Sequence, residues 1–280
     1  MIAAELSRQW RRPRTLATLA ALAGFAVALT VALAASGGGA LQRVGDIPLL
    51  IVPDRAGASI SVIALASTMK FFLPLAVAIF AGESIAGDAA SGALRYALAR
   101  PVSRTSYLLS KLVVALTLSL FAVVLVPLVA LLAGTIAFGW HPLTAIDGGA
   151  STAVHSAVVT FAPGEAIGHL GIGTAYVAAG MLSIFAFAFL LSTVTTHPFA
   201  AIAGGVGLTL VSRVLNSDYL PGVAVLHGWM PNNDVDLWEH LFQQPAQTAG
   251  MAQFLLLQLL YAGILLGGAW WWFNRKDVLT

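Results

Sequence analysis

The chain has 280 residues, of which 59% are hydrophobic and only 9% are charged. A soluble domain carries about 25% charged residues, so this composition excludes an ordinary soluble protein and indicates a membrane protein. Because the sequence contains no cysteine, disulfides, thiolate metal sites and cysteine nucleophiles are excluded. The net charge of +2 comes from scattered basic residues that form no broad basic face, so we expect no nucleic-acid partner.

Six apolar segments are each long enough to cross about 30 Å of hydrocarbon as a helix, with backbone polar groups satisfied internally. They are predicted at residues 15–35, 59–81, 112–138, 170–194, 199–220 and 251–273. The first exceeds the apolar core of a signal peptide, which has about 7–15 residues, so we interpret it as a retained span. We therefore predict an all-α integral membrane protein in which residues 1–280 form a single transmembrane domain.

The basic residues predict the orientation of these spans. An even number of spans puts both termini on one side, and ten of the fourteen basic residues share that side. Because basic residues concentrate in cytoplasmic loops, both termini are predicted to be cytoplasmic. The ten residues are Arg8, Arg11, Arg12, Arg14, Arg95, Arg100, Arg104, Lys111, Arg275 and Lys276.

The N-terminal residues 1–14 form a basic, mildly amphipathic stretch that ends near Pro13. Two interpretations have equal weight. The stretch is either a helix along the inner membrane surface or a charged flank that only sets the orientation of the first span.

The main polar interruption on the predicted cytoplasmic side is the insert, residues 83–111, between the second and third spans. A polar stripe with helical spacing runs along its first part: Ser84, Asp88, Ser91 and Arg95. Pro101 disfavours helical geometry at Arg100, so this helix is predicted to end there. Ser103 or Thr105 is then expected to cap a second helix that continues into the third span.

Three stretches of the sequence resemble a known family, the ABC-2 type transporter permeases. The insert contains Gly92-Ala-Leu-Arg-Tyr-Ala-Leu-Ala-Arg-Pro-Val-Ser-Arg104, preceded by Glu83 and followed by Lys111. The family signature has an acidic residue, a glycine, a leucine pair, Pro-x-Ser-Arg and then Gly-Lys. The closing Phe273-Asn-Arg-Lys-Asp277 and the earlier Met230-Pro-Asn-Asn also resemble family segments. Ala93 and Ser110 depart from it, because the family often has threonine and glycine there.

The resemblance implies the permease subunit of an ATP-binding-cassette exporter in a bacterial plasma membrane, with six spans and a cytoplasmic coupling helix in the insert. The sequence has no Gly-Lys pair and hence no Walker A loop, so we expect no enzyme activity in this chain. ATP and Mg are expected in a separate cytoplasmic ATPase subunit. The other expected partners are a second permease copy or a paralogue, and membrane lipid. Mostly apolar spans suggest an amphipathic, drug- or lipid-like cargo.

The resemblance also implies which residues couple the chain to the ATPase. By position they are Glu83, Asp88, Gly92, Arg95, Arg100, Pro101, Arg104 and Lys111. Three of them, Arg95, Arg100 and Arg104, are candidates for charge-assisted contacts with acidic surfaces of the ATPase. No catalytic residue is expected.

Lys70 falls near the middle of the predicted second span, where burying a lysine costs about 2.5–3.5 kcal/mol. One hypothesis is that it faces a wet translocation pathway or a dimer partner and receives polar or anionic substrate. The alternatives are snorkelling or a span with other boundaries. Competing functions are therefore an ion-gradient-coupled carrier using Lys70, an export permease for another cargo (as in copper-enzyme maturation), and a non-transport scaffold.

The predicted outer loops contain the remaining groups of polar residues. The histidines and acids considered there as metal ligands are His141, His155, His169, His227, His240, Asp234, Asp236 and Glu239. They show no His-x-x-x-His or comparable spacing, so we expect no metal site. An apolar stripe of Leu237, Trp238, Leu241 and Phe242 instead predicts an amphipathic helix on the outer membrane surface.

Overall fold

The computed structural model describes residues 2–36, 42–44, 49–51, 56–94, 103–147, 157–215, 229–243, 246 and 248–275. Within these ranges the chain is mainly helical, with one small sheet. The elements are α1 (Ile2–Trp10), α2 (Pro13–Ala35), β1 (Gln42–Val44), β2 (Leu49–Ile51), α3 (Gly57–Thr68), α4 (Phe72–Ala90), α5 (Arg104–Phe138), β3 (Leu143–Asp147), β4 (Ala157–Phe161), α6 (Pro163–Gly180), α7 (Leu182–Val194), α8 (Pro198–Leu215), a 3₁₀ helix (Asp234–Phe242) and α9 (Met251–Arg275).

The described residues contain six helices that are long and apolar enough to cross a membrane. They are α2, α4, α5, α6 continued into α7, α8 and α9. The predicted number of spans and the class of helical multi-pass membrane protein are thus confirmed. The predicted cap of the third span is also confirmed, since the Ser103 hydroxyl accepts a hydrogen bond from the Ser106 backbone N–H at 3.2 Å.

The predicted second span, residues 59–81, is divided in the structure into α3 and α4. Lys70 lies in the turn that separates the two helices. Pro74 explains the division, because proline has no N–H to donate to the carbonyl of residue 70 and its ring clashes with that carbonyl in a continuous helix. In the first turn of α4 the same proline is well tolerated.

Helices α3 and α4 run antiparallel to α5 and form the centre of the bundle with it. Asp88 of α4 binds Lys111 near the start of α5. Gly57 at the start of α3 lies against Thr135 near the end of α5. The end marked by Asp88 and Lys111 is hereafter the basic end, and the end marked by Gly57 and Thr135 is the sheet end.

A four-stranded antiparallel sheet in the order β1-β2-β3-β4 lies at the sheet end. It pairs the connection between α2 and α3 with the connection between α5 and α6, for example through Leu49 opposite Asp147. The sequence analysis predicted no strands. The strands have only three to five residues each, too few to show a clear alternation of apolar and polar side chains.

The sequence analysis predicted that the apolar side of the 3₁₀ helix faces a membrane surface. In the structure this apolar side is instead inserted into the bundle. Trp238 and Phe242 are fully buried. The Trp238 indole lies against Gly173 of α6, where a Cβ atom would come within 2.5 Å of the ring. Its Nε1–H points at the Met69 sulfur, 3.1 Å away. The apolar stripe therefore packs against protein.

Side chains of α6 and α9 satisfy the backbone carbonyls around this 3₁₀ helix. Tyr176 donates to the Asp234 carbonyl at 2.9 Å. Gln258 donates to the Pro231 carbonyl, and its Oε1 accepts from the Ser183 N–H at 3.2 Å. Irregular backbone among membrane helices needs such partners, because hydrocarbon supplies none.

Replacement of Gly57 by alanine tests the close approach of α3 to α5. The added Cβ would lie 2.5 Å from the Thr135 backbone nitrogen, which cannot move aside as a flexible side chain does. We expect Gly57→Ala to lower the free energy of unfolding by about 1–3 kcal/mol, measured by thermal unfolding in detergent. Gly171→Ala is the matched control, because nothing lies within 4 Å of a Cβ at that glycine. Equal stability of the two variants would contradict the close approach.

Candidate functional site

Helices α1, α4 and α5 meet at the basic end and bring together a cluster of charged and polar side chains, the ion cluster. Its members are Glu5, Arg8, Arg12, Asp88, Tyr107 and Lys111. Pro13, at the first turn of α2, separates that helix from α1 and lets α1 fold back onto α5. Gly92 has a positive φ of 72°, which suits the residue that follows the end of α4.

Asp88 is the centre of the ion cluster. Its carboxylate accepts hydrogen bonds from the Lys111 ammonium, from the Tyr107 hydroxyl at 2.9 Å, and from the Arg8 and Arg12 guanidinium groups at 3.1 Å. Asp88 and Lys111 are each only 2% exposed. A buried ion pair stabilises a protein only when further hydrogen bonds satisfy both charges, and these contacts meet that need for the carboxylate.

Glu5 of α1 completes the surroundings of Lys111. Its carboxylate lies 2.6 Å from the Lys111 ammonium and 2.8 Å from Arg8. Burial by itself raises the pKa of Glu5, but the hydrogen bonds from Arg8 and Lys111 outweigh it and hold the pKa below its ordinary value. Burial likewise opposes the charge on Arg8, yet Glu5 and Asp88 raise its pKa further above the ordinary value. The charged forms therefore favour the docked position of α1.

Three further contacts tie this region to the first and last spans. Arg14 of α2 forms an ion pair with Glu83 at 2.9 Å, largely exposed on the arginine side. Arg104 donates to the Asn274 carbonyl of α9 at 3.1 Å, and Tyr107 stacks on Phe273 with ring centroids 6.0 Å apart. The helix ends on both sides of the insert are thus connected to α1, α2 and α9.

The eight residues predicted to contact an ATPase are not alike in the structure. Asp88 and Lys111 are buried in the ion cluster, whereas Glu83 and Arg104 make the peripheral contacts just described. Gly92 occupies the turn after α4, which ends at Ala90, and helical residues resume at Ala93 and Leu94; the predicted end at Arg100 lies outside the described residues. The remaining three, Arg95, Arg100 and Pro101, lie outside the described residues.

The sequence analysis did not identify Glu5, Arg8 or Tyr107 as site residues. One signal was available, since Glu5 is the only acid in the first 45 residues and Arg8 follows it three positions later. That spacing puts the two side chains side by side on a helix. What it does not reveal is that α1 docks beside Asp88, more than 70 residues further along the chain.

Lys70, the residue predicted to line a pathway, lies far from the ion cluster. Eighteen residues separate it from Asp88 along α4 and the preceding turn, which corresponds to about 27 Å. Lys70 is half-buried, and its neighbour Met69 is the residue that contacts Trp238. The structure therefore puts Lys70 in the turn between α3 and α4, next in sequence to the residue that contacts the inserted 3₁₀ helix.

Among the described residues, no group of three or more histidine, cysteine, aspartate or glutamate side chains has an arrangement that could hold a metal ion. His155 and His227 lie outside the described residues.

Comparison with known families gives one match. Residues 49–279 match the model of the family DUF2705, described as a protein of unknown function. The matched range includes the insert, the turn at Lys70 and the 3₁₀ helix, but it excludes α1 and α2. No curated protein matches the chain.

Replacement of Asp88 by asparagine tests the ion cluster. Asp88→Asn removes the carboxylate shared by Lys111, Arg8 and Arg12 and leaves a cation buried with fewer partners. We expect the free energy of unfolding to fall by about 3–5 kcal/mol, measured by denaturant or thermal unfolding in detergent.

The control for this substitution is Glu83→Gln, which breaks a more exposed ion pair and is expected to cost about 0–1 kcal/mol. Adding Lys111→Met to Asp88→Asn should restore part of the loss, because the uncompensated charge is then gone. An Asp88→Asn protein as stable as Glu83→Gln would refute the central role of Asp88.

Proposed function

The chain belongs to the DUF2705 family, whose function is unknown, and from its own residues we propose that it is the permease subunit of an ATP-binding-cassette exporter. In this proposal the basic end faces the cytoplasm of a bacterium and the sheet end faces outward. The chain moves an amphipathic, drug- or lipid-like substrate out across the plasma membrane. A separate cytoplasmic ATPase subunit binds ATP and Mg and supplies the energy.

The observation that carries this proposal is the way the insert is attached to the bundle. Its sequence resembles the coupling segment of ABC-2 type permeases, and the ion cluster joins its first part, at the end of α4, to its last part, at the start of α5. A loop that only connects two spans does not need buried charges at its base. A segment that receives force from a partner does, because movement of the insert must displace α4 and α5 together.

The proposed mechanism follows from these contacts. Closure of the ATPase on ATP pushes the insert, and the Asp88–Lys111 pair transmits the displacement to α4 and α5 as a unit. Arg104 and Tyr107 pass part of it to α9 through Asn274 and Phe273. Arg95 and Arg100 of the insert are the proposed contacts with acidic residues of the ATPase. A second permease copy or a paralogue completes the exporter.

The substrate class is inferred from the side chains that line a groove between the helices. A shallow, mainly apolar groove, open on one side, lies between α4, α5, α6 and α7. Its lining includes Val77, Leu120, Val123 and Phe185, with Ser119 as the polar residue. Such a groove suits the hydrocarbon part of an amphipathic molecule. An export permease for another cargo, such as one serving copper-enzyme maturation, is the alternative within the same class.

A second candidate function is an ion-gradient-coupled carrier, and the position of Lys70 favours it. Breaks in spanning helices often line binding sites in such carriers, because irregular backbone there exposes polar groups to a cavity. Lys70 lies in such a break between α3 and α4. This candidate explains the break but leaves the resemblance of the insert without a role.

Co-purification with an ATPase tests the first candidate. The full chain, expressed with its genomic neighbours and purified in mild detergent, is expected to elute with a protein that hydrolyses ATP. Reversal of charge in Arg100→Glu should reduce the co-eluting ATPase at least tenfold, because like charges then face each other across the interface. The control is Arg275→Glu, an exposed arginine at the same end on α9. The exporter proposal would be refuted if no ATPase co-elutes with the chain and if Arg100→Glu has no effect on the activity of the protein.

Substitution of Lys70 separates the two candidates. Transport by the carrier should collapse in Lys70→Met and in the presence of a protonophore, and it should persist without the ATPase. Export by the permease should require ATP and survive the protonophore. The control is Thr18→Val, which removes a polar group that bonds only within its own helix α2. Transport unchanged by Lys70→Met at equal expression would rule out a pathway role for this lysine.

A further inference from the structure

The elbow between α1 and α2 concentrates arginines on one surface. Four of the seven residues from position 8 to position 14 are arginines. Arg8 and Arg12 turn partly inward to Asp88, but the Arg14 side chain remains 70% exposed. Arg11 is exposed, and no hydrogen bond or ion pair joins it to the described residues. The outer side of the elbow is therefore a cationic surface, hereafter the arginine elbow (Arg8, Arg11 and Arg14).

The carboxylates of the described residues do not balance this charge. Around the elbow and the ion cluster there are five cations, which are the four arginines and Lys111, against three carboxylates, Glu5, Glu83 and Asp88. All three carboxylates are already engaged with arginine or lysine in the structure. The surplus positive charge lies on the exposed side of the elbow, where an anion from outside the described chain can bind without displacing a carboxylate.

The position of Trp10 indicates that apolar side chains lie beside the arginine elbow. The Trp10 ring packs edge-on against Phe121 of α5, with centroids 5.1 Å apart. Phe121 is ten residues further along α5 than Lys111, which is about 15 Å deeper toward the apolar middle of the bundle. Ile2 and Trp10 are both more than 40% exposed. Helix α1 thus presents arginines and exposed apolar side chains together, as helices at a membrane interface do.

We propose that the arginine elbow binds the headgroups of anionic phospholipids. The phosphate oxygens accept charge-assisted hydrogen bonds from Arg11 and Arg14, while Trp10 and Ile2 contact the upper part of the acyl chains. Helix α1 is then held on one face by the ion cluster and on the other by lipid. The proposal does not depend on the proposed transport function, because it concerns only the membrane in which the chain lies.

A lipid is favoured over an acidic protein surface because of the exposed apolar side chains beside the arginines. A soluble partner would leave Trp10 and Ile2 in water or bury them at its own edge, whereas the membrane boundary accommodates both kinds of side chain at once. The elbow also includes the first residues of α2, a helix apolar enough to span the membrane, so its arginines lie at the start of that span.

Lipid binding by the full chain tests the proposal. The purified protein in mild detergent is titrated with phosphatidylglycerol and with phosphatidylcholine, and bound lipids are counted by native mass spectrometry. The apparent Kd for phosphatidylglycerol is expected to be severalfold lower than that for phosphatidylcholine. Arg11→Gln should raise the Kd for phosphatidylglycerol about fivefold, and adding Arg14→Gln should raise it further.

Three control measurements test whether lipid binding depends on the charges of the arginine elbow and on the lipid itself. Arg275→Gln, at the same end of the bundle but on α9, should leave the Kd unchanged. Arg11→Lys with Arg14→Lys should retain most of the affinity, since the positive charges remain. Inorganic phosphate, added at the concentration of the lipid, should not displace it. Far-UV circular dichroism and size-exclusion elution confirm that the variants fold, and because Arg11 is exposed we expect no loss of structure.

Several results would overturn the proposal. Equal affinity for the two lipids would remove the role of headgroup charge. An effect of Arg275→Gln as large as that of Arg11→Gln would show that only the overall charge of this end matters. Displacement by inorganic phosphate would identify a site for free anions. Loss of a co-purifying protein in Arg11→Gln, with lipid binding unchanged, would assign the elbow to a protein partner.

Discussion

The buried pair of Asp88 and Lys111 is the constraint on which the basic end of this protein depends. It joins the C-terminal part of α4 to the N-terminal part of α5. Because both charges are withdrawn from water, each needs additional partners, and the chain supplies them from α1. The docking of an N-terminal helix and the burial of Tyr107 both help to satisfy this one pair.

Helix α9 connects that constraint to the opposite end. Near its C-terminus Phe273 stacks on Tyr107, and near its N-terminus Gln258 holds the backbone at Pro231 and Ser183. The inserted 3₁₀ helix is therefore supported by the same rigid element that contacts the ion cluster. Spatial continuity of this kind permits coupling between the two ends, and it becomes a mechanism only if both ends have two discrete arrangements.

Hydropathy predicted the number of spans because the requirement to satisfy backbone polar groups in hydrocarbon is local and strong. The cap at Ser103 was predictable for the same reason, since it depends on residues three positions apart. The docking of α1, the division of the second span and the burial of Trp238 were not predicted. Docking and burial depend on contacts between distant segments, which no local pattern contains. Pro74 signals the division, but proline is common in membrane helices and signals a break only in context.

The length of α5 has a mechanical consequence. At 35 residues the helix extends for about 52 Å, whereas the hydrocarbon of a bilayer is about 30 Å thick. A helix that continues beyond the lipid forms a stalk, and the N-terminal end of this stalk is held by the ion cluster and by α9. A small sideways displacement at this end, with the pivot inside the membrane, swings the far half of the helix in the opposite direction. The length of α5 therefore sets the ratio between a displacement of the helix end outside the bilayer and the resulting displacement of the helix within it.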